Sequence, residues 1–241
     1  MERLTYQTLE QQGYNGFLLK NAPERVLQFG EGNFLRAFVE DFIDQMNEKA
    51  GFDAKVVLVQ PRGGHPESAD LYTEQNGLYT LVLRGRENGE AVERTRVISC
   101  ASRCLDPKRD WDILLDCAKN PDLRFIISNT TAAGIVFAPA CKADDAPPSA
   151  FPAKLTAFLH RRWTLGGKGF IILSCELKIT TATSSSAAST STSSCGTSNR
   201  TLPRGWRART SSALRWWIAS SPAARKPRRP RSAKSGATRT S

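Results

Sequence analysis

The chain has 241 residues and a formal net charge of +11, a basic excess that is typical of nucleic-acid-binding proteins. The position of the charges argues against that class, because residues 1–178 hold all 23 acidic residues and only 22 of the 34 Lys and Arg residues. No apolar run approaches the roughly 18 residues that span a bilayer, and the N-terminus shows no apolar signal segment. We therefore expect a cytoplasmic protein with no specific nucleic-acid partner and no membrane partner.

The six cysteines show no metal-binding spacing. Cys100 and Cys104 are the one close pair, and the two histidines, His65 and His160, are distant from them in the sequence. We therefore expect free thiols in a reducing compartment and no metal site.

One stretch organises the N-terminal part of the chain. The apolar run 25–29 predicts a buried strand that ends at Gly30, and Gly32 completes a Gly-x-Gly turn. A helical pattern begins at Asn33 and ends at Gly51. Such a turn lets the backbone approach a pyrophosphate in front of a helix N-terminus, although the third glycine of Gly-x-Gly-x-x-Gly is missing here.

The predicted helix has two faces. Its first amides can be capped by the side-chain oxygen of Asn33. The acidic residues Glu40, Asp41 and Asp44 are expected on the solvated side. Apolar residues recur at helical spacing, at Phe34, Ala37, Phe38, Phe42 and Met46.

A second buried strand, 55–60, completes the strand–turn–helix–strand unit that the glycine motif requires as its context. In many NAD-binding units an acidic residue ends this strand and binds the ribose hydroxyls. Gln60 and Arg62 stand in that neighbourhood here. Arg62 could favour a 2′-phosphate, and therefore NADP, or it could be a loop residue that faces water.

The rest of residues 1–178 alternates strands and helices, which predicts an α/β fold with a Rossmann-like, doubly wound, mostly parallel sheet. Paired strands are predicted over 71–84, with a turn at 87–90 and a returning strand at 94–99; helices are predicted at 110–118 and 151–163, and buried strands at 123–128 and 170–174. The antiparallel pair is expected to be an insertion after the second strand of the parallel sheet.

Polar residues follow the strand at 123–128, namely Asn129, Thr130 and Thr131. Residues at the carboxyl end of a strand in an open α/β sheet face the ligand crevice. An amide and hydroxyls there suit contacts to ribose or nicotinamide, and simple capping of the loop is the alternative.

Residues 179–241 differ from the rest of the chain. They hold 12 Lys and Arg residues, no Asp, Glu, Phe, Tyr or Val, and long runs of Ser and Thr. Such a segment cannot bury enough apolar surface to offset its ordering entropy. We predict a dinucleotide-binding domain over 1–177 and a disordered, basic, low-complexity tail over 178–241. This tail supports an alternative function, a non-enzymatic protein that binds nucleic acid or anionic surfaces.

With these motifs in place, residues 25–177 resemble the long-chain polyol or mannitol dehydrogenases, and in particular the branch that interconverts the sugar acids altronate and tagaturonate. The characteristic cofactor loop is Gln-Phe-Gly-Glu-Gly-Asn-Phe-Leu-Arg-Ala-Phe at 28–38. Further matching segments, in chain order, are 76–80, 128–131, 144–147 and 151–156.

The resemblance implies an NAD-dependent oxidoreductase of hexuronate catabolism that transfers hydride between the cofactor and a small-molecule sugar acid, interconverting D-altronate and D-tagaturonate. Gly30 and Gly32 would admit the pyrophosphate, and the amides of Asn33 and Phe34 would lie at the helix N-terminus. Arg36 would either contact a phosphate or form a surface salt bridge. No catalytic residue and no metal ligand is assigned, and the predicted cofactor site comprises Leu27, Gln28, Phe29, Gly30, Glu31, Gly32, Asn33, Phe34, Leu35, Arg36, Ala37, Phe38, Asn129 and Thr130.

The chain departs from the pattern of the family at three points. Ala132 stands where the family usually has Glu, Ser174 stands where it usually has Pro, and the match stops after Leu177. The family would continue into a mostly helical domain that carries a Lys general base and an Asn and a His for the substrate. We therefore expect a truncated, inactive form that binds NAD weakly at best and exposes the face that the second domain would cover, so that the chain could fail to fold stably.

The codons of the tail suggest why the match to the family stops after Leu177. Trp is encoded only by TGG, so Trp216-Trp217-Ile218 gives Val-Asp when the frame starts one base earlier. The same frame over 213–220 permits Ser-Thr-Leu-Val-Asp-Arg-Ile-Val, a segment typical of the family. We interpret 178–241 as an out-of-frame translation, which the nucleotide sequence would decide.

Overall fold

The computed structural model describes residues 3–130, 134–135, 141–142 and 144–175. A five-stranded parallel sheet with the order β5-β2-β1-β6-β7 forms its centre. Its strands are β1 (Glu24–Phe29), β2 (Lys55–Val59), β5 (Ala101–Leu105), β6 (Phe125–Ser128) and β7 (Ile171–Ser174). Two longer strands, β3 (Tyr79–Glu87) and β4 (Glu90–Ile98), form a separate antiparallel hairpin.

The helices are α1 (Tyr6–Gln11), α2 (Asp41–Ala50), α3 (Pro66–Glu74), α4 (Trp111–Asp116) and α5 (Phe151–Thr164). A π-helical segment, Leu35–Glu40, runs directly into α2, and a 3-10 turn, Cys117–Lys119, follows α4. Within the part of the chain that the structure describes, no helix is long and apolar enough to cross a bilayer.

Successive residues of β1 point to opposite faces of the sheet, and both faces are covered. Leu27 and Phe29 pack with residues of α4 and α5, whereas Val26 packs with residues of α2, α3 and the base of the hairpin. Because both faces are buried, the parallel strands are near-continuous apolar runs, as in other doubly wound sheets. The predicted fold class is therefore confirmed for the described residues.

Two elements differ from the sequence-based expectation. Residues 71–74 belong to α3 and not to a strand: Pro66 stands in the first turn of this helix and Ala69 is buried beneath it. The edge strand β5 was not predicted, because Ser102 and Arg103 interrupt its apolar pattern. Both polar side chains bind the Glu24 carboxylate at 2.9 Å, which satisfies them at the amino end of the sheet.

The predicted antiparallel pair is confirmed by the β3–β4 hairpin, whose register runs from Tyr79 opposite Ile98 to Glu87 opposite Glu90. Asn88 and Gly89 form the turn with φ values of 53° and 89°. Positive φ at both positions is the geometry of a two-residue hairpin turn, which favours Asn-Gly.

Candidate functional site

The glycine turn lies at the centre of the carboxyl edge of the sheet. The Gly30 amide donates a hydrogen bond to the Val59 carbonyl of β2 (2.9 Å), and the Asn129 amide donates to the Phe29 carbonyl (3.3 Å). The chain continues from β1 to β2 on one side, while β6 lies on the other. This reversal of strand order opens a crevice at the strand ends, which is where ligands bind in open α/β sheets.

The two glycines have different structural roles. Gly30 has φ +128°, and a Cβ there would lie 2.9 Å from Cδ1 of Leu35, so the position requires glycine. Gly32 is exposed, and a Cβ built on it would meet no described atom within 4 Å. The bare backbone of Gly32 therefore leaves open space in front of the helix, as the close approach of a pyrophosphate requires.

The helix after the turn presents unpaired amides to this space. It begins at Asn33, and among the described residues its first backbone hydrogen bond runs from the Arg36 amide to the Gly32 carbonyl (3.2 Å). The amides of Asn33 and Phe34 therefore have no acceptor in the preceding turn of the helix. These donors and the positive end of the helix dipole favour an anion.

Asn33 does not cap this helix, so that prediction is wrong. Its side-chain Oδ1 accepts a hydrogen bond from Nη2 of Arg36 at 2.5 Å. Arg36 forms no ion pair with any of the described residues, so the structure does not show the alternative of a surface salt bridge. Its guanidinium lies 5.8 Å from the ring centroid of Tyr79.

The predicted site residues of the glycine turn and its helix, 27–38, fall into two groups. Glu31, Gly32, Asn33, Phe34, Arg36, Ala37 and Phe38 reach the surface, and burial raises the pKa of the half-buried Glu31. The others are held in the interior, where only their backbone could contact a ligand; these are Leu27, Gln28, Phe29, Gly30 and Leu35.

Asn129 lies directly beside Gly30, because a Cβ on that glycine would be 3.7 Å from the Asn129 carbonyl oxygen. Its side-chain Nδ2 donates to the Cys175 carbonyl of the chain after β7 (2.7 Å). Thr130 follows in a buried position. Thr131 and Ala132, and everything after Cys175, lie outside the described residues.

The faces of the helix are the reverse of those predicted. Glu40 and Asp44 are 0% exposed and Asp41 is 7% exposed, so they do not lie on the solvated side. The stripe at helical spacing is instead half exposed, with fractional exposures of 46% for Phe34, 49% for Phe38, 50% for Phe42 and 41% for Met46. A second stripe, Leu35, Val39 and Ile43, packs on the core.

The buried carboxylates have partners from distant parts of the chain. Asp44 accepts hydrogen bonds from Nη2 of Arg96 (2.6 Å) and from the amide and hydroxyl of Ser99 (2.9 and 3.0 Å). Glu40 accepts from Nε2 of Gln28 (2.7 Å) and lies 3.0 Å from the Tyr79 hydroxyl. Burial raises the pKa of Glu40 to about 7, although these two hydrogen bonds act to lower it.

Truncating a side chain should affect stability differently in the two stripes. Replacing Ile43 with alanine should lower the free energy of unfolding by about 2 to 5 kcal/mol, because it leaves a cavity in the core. Replacing its neighbour Phe42 with alanine should cost less than about 1 kcal/mol, because half of that side chain already faces water. Urea denaturation followed by circular dichroism measures both, and equal losses would show that the Phe42 face is covered.

The end of β2 contains no carboxylate among the described residues. Gln60 is buried, and its Nε2 donates to the His65 carbonyl (2.8 Å). Arg62 is exposed. The turn between them and α3 is held by Asp106, whose two carboxylate oxygens accept from the Gly64 amide at 2.9 and 2.8 Å. Sequence reasoning missed Asp106, because only the parallel pairing of β5 with β2 brings it to this turn.

The doubly wound sheet and the glycine turn at its switch point define the class of Rossmann-like α/β domains. The sequence also matches the model of the mannitol dehydrogenase Rossmann domain over residues 24–192. The chain belongs to the mannitol dehydrogenase family, which confirms the resemblance stated from the sequence.

Several altronate oxidoreductases are similar to this chain. That of Phocaeicola vulgatus is 48% identical over 159 residues, which cover 64% of this chain and 33% of the relative. The Bacillus subtilis protein is 46% identical over 159 residues with the same shares, and the Pectobacterium atrosepticum protein is 43% identical over 177 residues, with shares of 71% and 35%. The chain thus spans about a third of the length of the curated relatives it matches.

Two solved structures share the fold. A substrate-free D-sorbitol dehydrogenase has a TM-score of 0.67 at 23% identity, covering 79% of this chain and 42% of that chain. The mannitol 2-dehydrogenase of Pseudomonas fluorescens, a ternary complex with NAD and D-mannitol, has a TM-score of 0.68 at 21% identity, with shares of 80% and 42%.

Proposed function

We propose that residues 1–177 are the dinucleotide-binding domain of an oxidoreductase that interconverts D-altronate and D-tagaturonate with NAD. The observation that carries this proposal is the position of Gly30 and Gly32, where a bare backbone and a helix N-terminus meet at the switch point of the sheet. The altronate oxidoreductases among the relatives support the choice of substrate.

In this proposal the backbone of Gly30 and Gly32 holds the pyrophosphate, together with the amides of Asn33 and Phe34. The Arg36 guanidinium supplies a positive charge beside these donors. Asn129 and Thr130 bound the crevice on the β6 side, toward the ribose or the nicotinamide. When bound, the nicotinamide ring accepts or supplies the hydride, and the residues of this chain bind and orient the dinucleotide.

NADP is the second candidate cofactor, and a specific observation favours it. Gln60 at the end of β2 is neutral, and the nearby Arg62 is exposed and could meet a 2′-phosphate. The choice between the two cofactors therefore depends on whether Arg62 contacts the ligand.

Titrating the purified 241-residue chain with NADH and with NADPH, followed by nucleotide fluorescence, tests the proposal. We expect weak binding of NADH. Tighter binding of NADPH that is lost in Arg62→Ala would assign NADP instead. Binding of neither nucleotide would contradict a dinucleotide site.

We propose further that the 241-residue chain has no turnover, because residues 178–241 are an out-of-frame translation. The codon argument at Trp216 and Trp217 supports this, and these residues lie outside the described part of the chain. Oxidation of NADH that depends on tagaturonate would contradict the lack of turnover. The nucleotide sequence tests the frame directly.

The alternative function, a protein that binds nucleic acid or anionic surfaces, rests on the tail alone. The names of the relatives give it no support.

A further inference from the structure

A buried amide holds the first turn of the proposed cofactor loop. Gln28 is 0% exposed, and its Nε2 donates to the Gly30 carbonyl (2.9 Å) and to Oε1 of Glu40 (2.7 Å). Its Oε1 has no hydrogen-bond partner among the described residues. Rotating the amide by half a turn would place this oxygen against two acceptors, so the Gly30 carbonyl and the Glu40 carboxyl group together determine the orientation of Gln28.

A hydroxyl group holds the other end of the loop. The Tyr79 hydroxyl lies 2.9 Å from the Arg36 carbonyl oxygen and 3.0 Å from Oε2 of Glu40. This hydroxyl has a single proton, so it cannot donate fully to both acceptors while Glu40 is ionised. When Glu40 is protonated on Oε2, it donates to the Tyr79 oxygen, and the Tyr79 proton is free for the Arg36 carbonyl.

We propose that Glu40 is a positioning residue for the cofactor loop, because one buried carboxyl group holds the Gly30 carbonyl through Gln28 and the Arg36 carbonyl through Tyr79. The link between Glu40 and a dinucleotide rests on the proposed function. The hydrogen bonds that fix the Gly30 and Arg36 carbonyl groups are a property of the ligand-free chain. Loss of the proton from Glu40 releases the Arg36 carbonyl, so the loop is held most firmly on the acidic side of neutrality.

Several other titratable groups face Glu40. Arg36 and Asp44 face it from its own helix. Burial raises the pKa values of the groups that face it from other elements, so these stay protonated as Glu40 titrates; they are Tyr72 of α3, Tyr79 of β3, Cys100 between β4 and β5, and Cys104 of β5.

The test uses hydrogen exchange at residues 30–36 of the ligand-free, full-length chain, at about pH 6 and about pH 8.5, corrected for the intrinsic rates. Tyr79→Phe should lower protection there by about fivefold at the lower pH, since it removes one hydrogen bond. Tyr72→Phe is the matched control, because the buried Tyr72 hydroxyl has no partner among the described residues. Glu40→Gln should keep the protection at both pH values, because its amide can donate to the Tyr79 oxygen permanently.

Equal protection in Tyr79→Phe and Tyr72→Phe would overturn the inference, and so would a pH dependence that survives in Glu40→Gln. The affinity for NADH, measured on the same proteins, should weaken by about the same factor as protection falls. Absence of NADH binding by the unmodified chain would refute the proposed function, while the exchange measurement would still decide the role of Glu40.

Discussion

Replacing Gly32 with alanine should weaken the binding of NADH by about tenfold or more, equivalent to about 1.4 kcal/mol of binding free energy. The methyl group would project into the open space in front of the helix, where it would displace a pyrophosphate from the backbone amides. The fold should not change, because a Cβ on Gly32 meets no described atom within 4 Å. Fluorescence titration with NADH and thermal unfolding measure the two effects separately.

Two other glycines serve as controls for this substitution. Gly85 in the hairpin is equally open, so Gly85→Ala should alter neither the affinity nor the stability. Gly30→Ala should lower the stability by about 1 to 3 kcal/mol, because alanine would be strained at φ +128° and would contact Leu35. Unchanged affinity in a stable Gly32→Ala protein would show that the dinucleotide does not lie on this turn.

Between about pH 4.5 and pH 8 the protein should lose about 3 kcal/mol of unfolding free energy that a Glu40→Gln variant does not lose. Burial raises the pKa of Glu40 from 4.5 to about 7, so between these values the folded state holds a proton that the unfolded state has released. The stabilising contribution is fully present below pH 4.5, and it is lost as the pH rises through about 7. Urea unfolding at a series of pH values, with the variant subtracted from the unmodified protein, measures the effect.

An exposed glutamate provides the control for this pH series. The Glu67 side chain is 72% exposed, so Glu67→Gln makes the same chemical change outside the core, and its pH series is measured alongside that of Glu40→Gln. A difference between the unmodified protein and Glu40→Gln that does not change with pH would show that Glu40 is not kept protonated by burial.

The sequence was sufficient to predict the elements that local signals encode. Residues close together in the sequence determine the strands β1, β2, β6 and β7 and the turn at Gly30. The hairpin turn is equally local, because Asn88 and Gly89 tolerate the positive φ values that it requires. The juxtaposition of Gly30 with Asn129 followed from a general rule for the carboxyl ends of parallel strands.

The burial of the helix could not be predicted in the same way. Two apolar stripes share one helix, and the stripe with the larger aromatic side chains is the exposed one. The inner face contains Glu40 and Asp44, whose partners Tyr79, Arg96 and Ser99 lie 39 to 55 positions away. Helical periodicity carries no information about such partners, so it assigned both carboxylates to water.

The position of the hairpin affects the order in which the parts of the protein fold. It supplies Tyr79 to Glu40 and Arg96 to Asp44, so the strand–turn–helix unit around Gly30 lacks these two partners for its interior acids until the hairpin has docked. Docking must close loops of 39 and 52 residues, which slows folding relative to a unit with only local contacts. On a growing polypeptide, the glycine turn would thus reach its final shape only after the chain has been synthesised well past β4.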